Sequence, residues 1–354
     1  MKKIYISILA LSLLSVSAFA GNRNRIGQAG AQELLLNPWA QSSGMAGANS
    51  VSMIGLESMW SNVSGLAFID KTEIAFTYAN LFAGSGVTSN SFGLAQRIGD
   101  ASVLGAYVNT MGFGDIDVTT VDQPEGGMGT FSPQVLNLNI SYARAFSNSI
   151  YGGFTLKTIS HAISNSRSNG VAIDAGIRYV TGKDENLKFG IALKNVGPKM
   201  SHSGDGFATK TQLDEKEFTL SHRTQAFELP STLSLGVAYD IYLTPRKTDD
   251  DTSGIAEHRI TGAGTFISNS FGKDQFAIGV EYSFNRIAAL RAGFLYEDGI
   301  LDSELRTQAH TGPTFGASVN LPLGNSGNKI SIDYSYRTSN PLAGTHSVGI
   351  RLNL

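Results

Sequence analysis

Few residues in this chain are arranged to do chemistry. The six histidines stand at 161, 202, 222, 258, 310 and 346, with no spacing of the H-E-x-x-H kind that puts two imidazoles on one metal. There is no cysteine, which removes disulfides, thiol nucleophiles and cysteine-ligated zinc. No G-x-S-x-G nucleophile elbow and no P-loop occurs. His202 and His222 share one polar stretch with Asp205 and Asp214, and they read as loop residues. Asp115, Asp117, Asp122 and Glu125 lie beside Gly126-Gly127 and supply the oxygens that calcium prefers. They lack the regular D-x-D-x-D-G order. The expectation is a protein that is not an enzyme, with no metal and no cofactor. Its net charge of −2 offers nothing to nucleic acid as a partner.

The remaining charges are isolated within alternating segments. Lys157, Asp174, Arg178, Lys188, Lys194, Glu281, Arg291 and Asp333 each fall on the polar face of such a segment, among Gly, Ala, Ser and Asn. A water-facing surface would carry many more Lys and Glu than the 16% charged residues found here. Small and polar with sparse charges is the habit of a barrel lumen.

The elements that hold those charges follow from strict alternation. Leu233, Leu235, Val237, Tyr239 and Ile241 oppose Ser234, Gly236, Ala238 and Asp240, and Phe276, Ile278, Val280, Tyr282 and Phe284 oppose Ala277, Gly279, Glu281 and Ser283. A period of two over such lengths means β-strands with one apolar face. Strands are expected at about 71–82, 90–98, 101–113, 134–146, 150–163, 170–181, 186–196, 231–243, 257–268, 273–285, 287–297, 313–322, 328–337 and 345–354. Long connections at 114–133, 197–230 and 298–312 fall on one rim, and most on the other are tight. The exceptions are a long 244–256 on the tight rim and a short 269–272 on the other. Short periplasmic turns with longer outer loops characterise outer-membrane barrels. The final strand puts Val348, Ile350, Leu352 and Leu354 on one face up to the chain end. Phe82, Phe146, Tyr151, Tyr242, Phe284 and Tyr296 sit near strand ends, where interfacial aromatic girdles form.

Two N-terminal stretches do not alternate. Residues 1–20 have Lys2 and Lys3, an apolar run from Ile4 to Val16 and Ala18-Phe19-Ala20, the order of a cleaved signal peptide. Residues 21–68 carry both tryptophans and short helix-like patches broken by Pro38, Gly44 and Gly47. This segment is too irregular to cross a membrane and too apolar for a free linker. It is expected to plug the barrel or act as a hatch, with Leu34, Leu35, Pro38, Trp39, Met45, Trp60 and Asn62 as its working residues. Residues 69–354 are the barrel. The expected fold is therefore all-β: a transmembrane antiparallel β-barrel of about fourteen strands with an N-terminal, irregular short-helical plug, in the outer membrane and surrounded by its lipid. In the loop after the third strand, Val121, Met128 and Phe131 are candidates for docking a partner.

Three motifs carry a family resemblance: Gly30-Ala31-x-Glu33-Leu34-Leu35-x-x-Pro38, Ser43-Gly44-Met45-Ala46-Gly47-Ala48 and Asn62-Val63-Ser64-Gly65-Leu66-Ala67. The last matches an N-P-A-G-L-A pattern with Val63-Ser64 in place of Pro-Ala. With the loop TTVDQPEGGMGTFSPQ and the segment SYARAFSNSIYGGFTLK, the chain resembles the PorV/PorQ family of outer-membrane proteins in Bacteroidetes, distant relatives of FadL-type transporters. The resemblance implies a fourteen-stranded barrel and a role in type IX secretion. Its partners would then be the translocon, attachment-complex proteins or secreted cargo. The alternative is a FadL-like transporter for hydrophobic small molecules, with Leu34, Leu35, Trp39 and Trp60 along the ligand path.

Overall fold

The computed structural model describes residues 22–213, 216–244, 256–302, 304–324 and 327–354. The expected signal peptide lies outside the described residues, as does Asp214. Fourteen strands form one closed wall: β1 Thr72–Leu81, β2 Val87–Ile98, β3 Ser102–Gly112, β4 Gln134–Ala145, β5 Ile150–Ile163, β6 Ser166–Thr181, β7 Leu187–Val196, β8 Thr232–Tyr242, β9 His258–Asn269, β10 Gln275–Phe284, β11 Ala288–Glu297, β12 Gly312–Pro322, β13 Lys329–Arg337 and β14 Thr345–Asn353. Each pairs antiparallel with its sequence neighbour, and β14 pairs with β1 through Phe76–Ile350 and Tyr78–Val348, which closes the ring. Closure satisfies every strand edge, the condition for a sheet to stand in lipid.

Which face looks inward is decided by burial. Along β1, Phe76 and Tyr78 are exposed while Ala75, Thr77 and Ala79 between them are buried. The same holds all round: Ile278, Ile350, Leu235 and Ile191 point out, and Ala277, Arg351, Ser234 and Ala192 point in. An outer wall of Ile, Leu, Phe and Tyr around a small, polar interior inverts a water-soluble barrel and suits lipid. Val348, Ile350 and Leu354 are on this outer face. Among the described residues, no helix is long and apolar enough to cross a membrane.

The strand bounds agree with those read from alternation except where polar residues continue a strand. The second begins at Val87 and the sixth at Ser166, because Ser-Asn and Arg-Ser-Asn stretches still pair in the ladder although no apolar residue marks them. The aromatic girdle needs correction. Phe146, Phe284 and Tyr296 are exposed on the outer wall. Phe82 instead stacks on His310 with ring centroids 4.8 Å apart, and Tyr151 lies 4.3 Å from Phe68. Tyr242 shares the inward parity of Asp240 and turns its hydroxyl toward the Asp184 carbonyl at 3.4 Å. Parity turns Tyr151 and Tyr242 inward, whereas Phe82 shares the outward parity of Phe76 and is redirected by its left-handed backbone (φ 51°) just past β1.

The long connections 113–133, 197–231 and 298–311 leave one rim, which we assign as the outer one from the short-turn habit of these barrels. Within them, residues 116–117 pair with 130–131, and Ala208–Leu213 pairs with Lys216–Ser221.

Candidate functional site

The lumen is filled by residues 30–68. They make five short helical turns, Gln32–Leu35, Ala40–Ser43, Ala48–Val51, Ser58–Ser61 and Val63–Phe68, none longer than six residues. Pro38, Gly47 and Gly55 separate them, and positive φ at Gly47 (84°) and Gly55 (84°) reverses the chain where a side chain would strain it. The segment enters at the outer rim, where Gly30 N–H donates to the Glu228 carbonyl at 3.0 Å and Arg25 pairs with Glu228 at 2.9 Å. Arg25 and Lys199 hold the Glu228 carboxyl below its usual range. It leaves at the opposite rim, where Arg97 donates to the Ala67 carbonyl at 3.0 Å before β1 begins.

What lets it fit is a belt of inward-facing glycines. A Cβ on Gly293 would lie 2.4 Å from the backbone carbon of Met45, and one on Gly316 would lie 2.9 Å from Gly44 Cα. A Cβ on Gly176 would strike the Asn62 side-chain oxygen at 2.2 Å, one on Gly190 would meet Val51 at 2.7 Å, and one on Gly93 would meet Leu56 at 2.6 Å. These wall positions carry no side chain because the plug occupies that space, with its backbone at Gly293 and Gly316 and with side chains at Gly176, Gly190 and Gly93.

Polar groups fix the segment to the wall between those contacts. Asn62 Nδ2 donates to the Ile177 carbonyl at 3.3 Å while its oxygen accepts from Ser64 N–H at 3.2 Å. Thr265 Oγ1 donates to the Ala48 carbonyl at 2.9 Å, Thr314 Oγ1 to the Gly44 carbonyl at 3.1 Å and Arg178 to the Met53 carbonyl at 2.5 Å. Glu57 accepts from Ser42 N–H at 2.8 Å and stands 3.8 Å from Arg351, whose guanidinium is committed to Asp333 at 2.8 Å. Glu73 also reaches into this cluster, accepting from Leu56 N–H at 2.9 Å. Burial pushes the Glu57 carboxyl up to about 7, with Arg351 opposing and Asp333 adding to the rise.

The eight charges expected in the lumen all face inward. Lys157 pairs with Asp174 at 2.6 Å, Lys188 with Asp240, and Glu281 bridges Arg259 at 2.7 Å and Arg291 at 2.6 Å. Arg259, Arg351, Arg337, Glu57, Glu73 and Glu297 also face inward and were not among the charges singled out. Arg351 and Arg337 were legible as inward by parity with Gly349 and Ser335, but Glu57 carries no strand periodicity to mark it.

A cavity of about 110 Å³ lies between the plug and the outer half of the wall. Leu35, Leu36 and Trp60 enter it from the plug, and Ile267, Leu295, Lys194 and Arg337 from the wall. A smaller one, about 20 Å³, shares Leu36 and Trp60 and is otherwise lined by Asn109, Asn137, Asn139, Lys157 and their neighbours. His310, also on the large cavity, donates or accepts at Thr345 Oγ1 over 2.8 Å. Burial and then the Arg337 charge push its imidazole down to about 2, so it is neutral at any physiological pH.

The plug residues singled out from sequence therefore divide. Leu35 and Trp60 line the large cavity. Trp39 does not: it is fully buried edge-on to Tyr107 at 5.4 Å. Leu34 packs with Met200 and Leu229 and touches only the small cavity. Pro38 accepts from Ser91 Oγ at 3.4 Å, and Met45 lies under Gly279 and Gly293. In the outer connection, Val121 is 99% exposed and Met128 54%, whereas Phe131 is half-buried opposite Ile116. Asp115 accepts from Ser132, and among the described residues no three His, Asp or Glu side chains converge as a metal site. His202 lies 5.4 Å from the Phe227 ring, while His222 meets Thr209 at 3.3 Å.

No family model and no curated protein matches the chain. Among solved structures, the toluene transporter TodX of Pseudomonas putida superposes with a TM-score of 0.52 at 13% identity, over 90% of this chain and 97% of that one. The toluene transporter TbuX of Ralstonia pickettii gives 0.48 at 12% identity, covering 84% and 92%. A FadL homologue of Pseudomonas aeruginosa gives 0.48 at 12%, covering 88% and 96%. The likeness to TodX is one of fold.

Proposed function

We propose that this protein is a FadL-like, non-enzymatic outer-membrane transporter for small hydrophobic molecules, with the large lumen cavity as its binding station. The observation that carries the reading is that cavity itself. In a lumen otherwise filled by the plug, Leu35, Leu36, Trp60, Ile267 and Leu295 turn apolar surface toward an unfilled space. Apolar walls with a few convergent polar groups are the usual make-up of a small-molecule site. The fold shared with TodX, a toluene transporter, supports the same reading. For solute to pass, the plug must yield, since it spans the lumen from Gly30 to Ala67. Export by a cleaved signal peptide at Ala20 belongs to this reading. The test is uptake of labelled hydrophobic solutes by proteoliposomes carrying the purified barrel. Rates equal to empty liposomes for aromatic, acyl and acidic solutes alike would refute it.

A second reading is favoured by the outer rim. Val121 and Met128 stand in solvent on the 113–133 connection, and apolar side chains displayed on a loop held by a rigid barrel suit protein docking. With the PorV/PorQ resemblance, this supports a component of type IX secretion that binds cargo, the translocon or attachment-complex proteins. Cargo reaching the cell surface normally in a deletion strain would refute it.

A further inference from the structure

The buried charges of the lumen are matched with a specific exception at the large cavity. Lys157, Lys188, Arg259, Arg291 and Arg351 each have a carboxylate within ion-pair distance. Among the described residues, none gives Lys194 or Arg337 such a carboxylate. Both are 7% exposed, and both line the large cavity. The Lys194 ammonium rests over the Trp60 ring at 3.6 Å, and Arg337 gives one N–H to the Asn37 carbonyl at 3.2 Å while its Nε has no partner. Asp174, the carboxylate whose charge reaches Lys194, is already taken by Lys157 and by Asn195 N–H at 2.7 Å. Among the described residues no Asp or Glu lines the cavity, and neighbouring His310 is neutral. Arg178 also lacks a carboxylate, but it lies away from the cavity, sealed over Phe68 and against the plug at Gly65.

A buried cation without a counter-charge is destabilising, and two beside one cavity hold a positive potential in a low-dielectric space. A neutral hydrocarbon would leave both cations unmatched. An anion would neutralise one or both. Leu35, Leu36, Ile267 and Leu295 give the cavity an apolar part among Ser, Thr, Asn and Gln side chains, and its volume of about 110 Å³ is near single-ring size, since an apolar protein cavity of about 150 Å³ takes up benzene. A cation over an aromatic face, as Lys194 is over Trp60, leaves its remaining N–H donors free for an acceptor.

We propose that this cavity binds a compact organic carboxylate, an apolar body of about one ring bearing an acid group, with Lys194 and Arg337 as its anion-recognising residues. The proposal rests on the transporter reading and narrows it, setting this site apart from one built for an uncharged hydrocarbon. Lys194 and Trp60 move together in it: a carboxylate that engages the ammonium competes with the ring, so binding alters the surroundings of Trp60. Trp39 is sealed against Tyr107 and stays silent.

The experiment is a titration of the purified barrel in non-ionic detergent with phenylacetate, its methyl ester, toluene and oleate, read by calorimetry and by the fluorescence of a Trp39→Phe variant. Phenylacetate should bind at least tenfold more tightly than its ester or toluene. Lys194→Gln and Arg337→Gln should each lose about tenfold for the acid and leave the ester unchanged, and Lys194→Arg should restore most of the loss. Heat-modifiable gel mobility verifies that each variant is folded. Equal affinity for acid and ester, or a wild-type preference for the acid that both Gln variants retain, overturns the anion site while leaving the transporter reading standing. Oleate binding without phenylacetate binding overturns the compact ligand. If none of the four binds, and the proteoliposome uptake is also absent, both readings fall together.

Discussion

The glycine belt gives a perturbation whose size can be worked from the structure. In Gly293→Ala the new Cβ would sit 2.4 Å from the Met45 carbonyl carbon and 2.7 Å from its Cα. Both are backbone atoms, so no rotamer change relieves the overlap. Restoring an ordinary contact of 3.4 Å moves the plug turn away by the difference, about 1 Å. Overpacking of this kind costs about 1–3 kcal/mol. The same turn is held by Thr314 to the Gly44 carbonyl at 3.1 Å and Thr265 to the Ala48 carbonyl at 2.9 Å, and a 1 Å retreat lengthens both past useful geometry. At about 1 kcal/mol each, the total is roughly 3–5 kcal/mol, or a factor of about 10² to several times 10³ in the open population of that turn. The control is Gly262→Ala on the lipid side of β9, where an added Cβ meets nothing within 4 Å. Hydrogen exchange of the 42–50 amides should accelerate by that factor in Gly293→Ala and not in Gly262→Ala, and the former alone should raise conductance in planar bilayers. A folded Gly293→Ala barrel with wild-type exchange and conductance would refute the claim that the wall is carved to the plug.

Two further outcomes follow from the plug's polar anchors. Glu57 is raised from 4.5 to about 7 in the folded protein, so the folded state binds its proton more tightly than the unfolded state. Its contribution is therefore fully present below pH 4.5 and is lost as pH rises through 7. The change is on the order of 3 kcal/mol. Thermal unfolding from pH 4.5 to 8 should show this fall in the wild type and a flatter profile in Glu57→Gln; parallel profiles would mean that Asp333, Glu73 and Arg351 set the pH response without it. Ser50 Oγ and Thr265 Oγ1 lie 2.8 Å apart between plug and wall, and the absence of native cysteine makes a Ser50→Cys/Thr265→Cys tether clean. Oxidation should abolish solute uptake and reduction should restore it; uptake unaffected by a verified disulfide would show that the turn does not move.

The barrel was legible because a wall one residue thick between lipid and lumen writes its two environments onto alternate residues. Ile278 and Val280 against Ala277 and Gly279 mark a strand with one apolar face, and the small, sparsely charged opposite face, the connection lengths and the final strand tell a lumen from a water-facing surface. That alternation even placed Lys194 and Glu281 inward. It was silent on partners across the lumen: the Arg351–Asp333 pair joins adjacent strands, yet Glu57 reaches it from a segment with no period at all. The glycines were visible on the polar face, but nothing in one sequence says that Gly176 lacks a side chain because Asn62 stands there.

The same geometry separates a permanently fixed plug from a hatch. Leu56, Met59 and Leu66 pack with Trp39 and Tyr107 in a large buried cluster, whereas the 43–50 turn is held by glycine contacts, a few hydroxyl-to-carbonyl bonds and a smaller cluster of Met45 and Ala48 with Ala277. Losing two such bonds costs about 2 kcal/mol and lifting Met45 from its cluster about 2 more, while drawing the larger cluster, with Trp39, Leu56, Met59 and Leu66, from its pocket costs more than both together. Movement is therefore expected in the 43–50 turn, beside the large cavity that Ser43, Ala46, Gly47 and Ser50 help to line. Of the plug residues that line the cavity, those of the 43–50 turn are cheaper to displace than Trp60, which packs on that cluster, and their displacement enlarges the cavity without unseating Trp39.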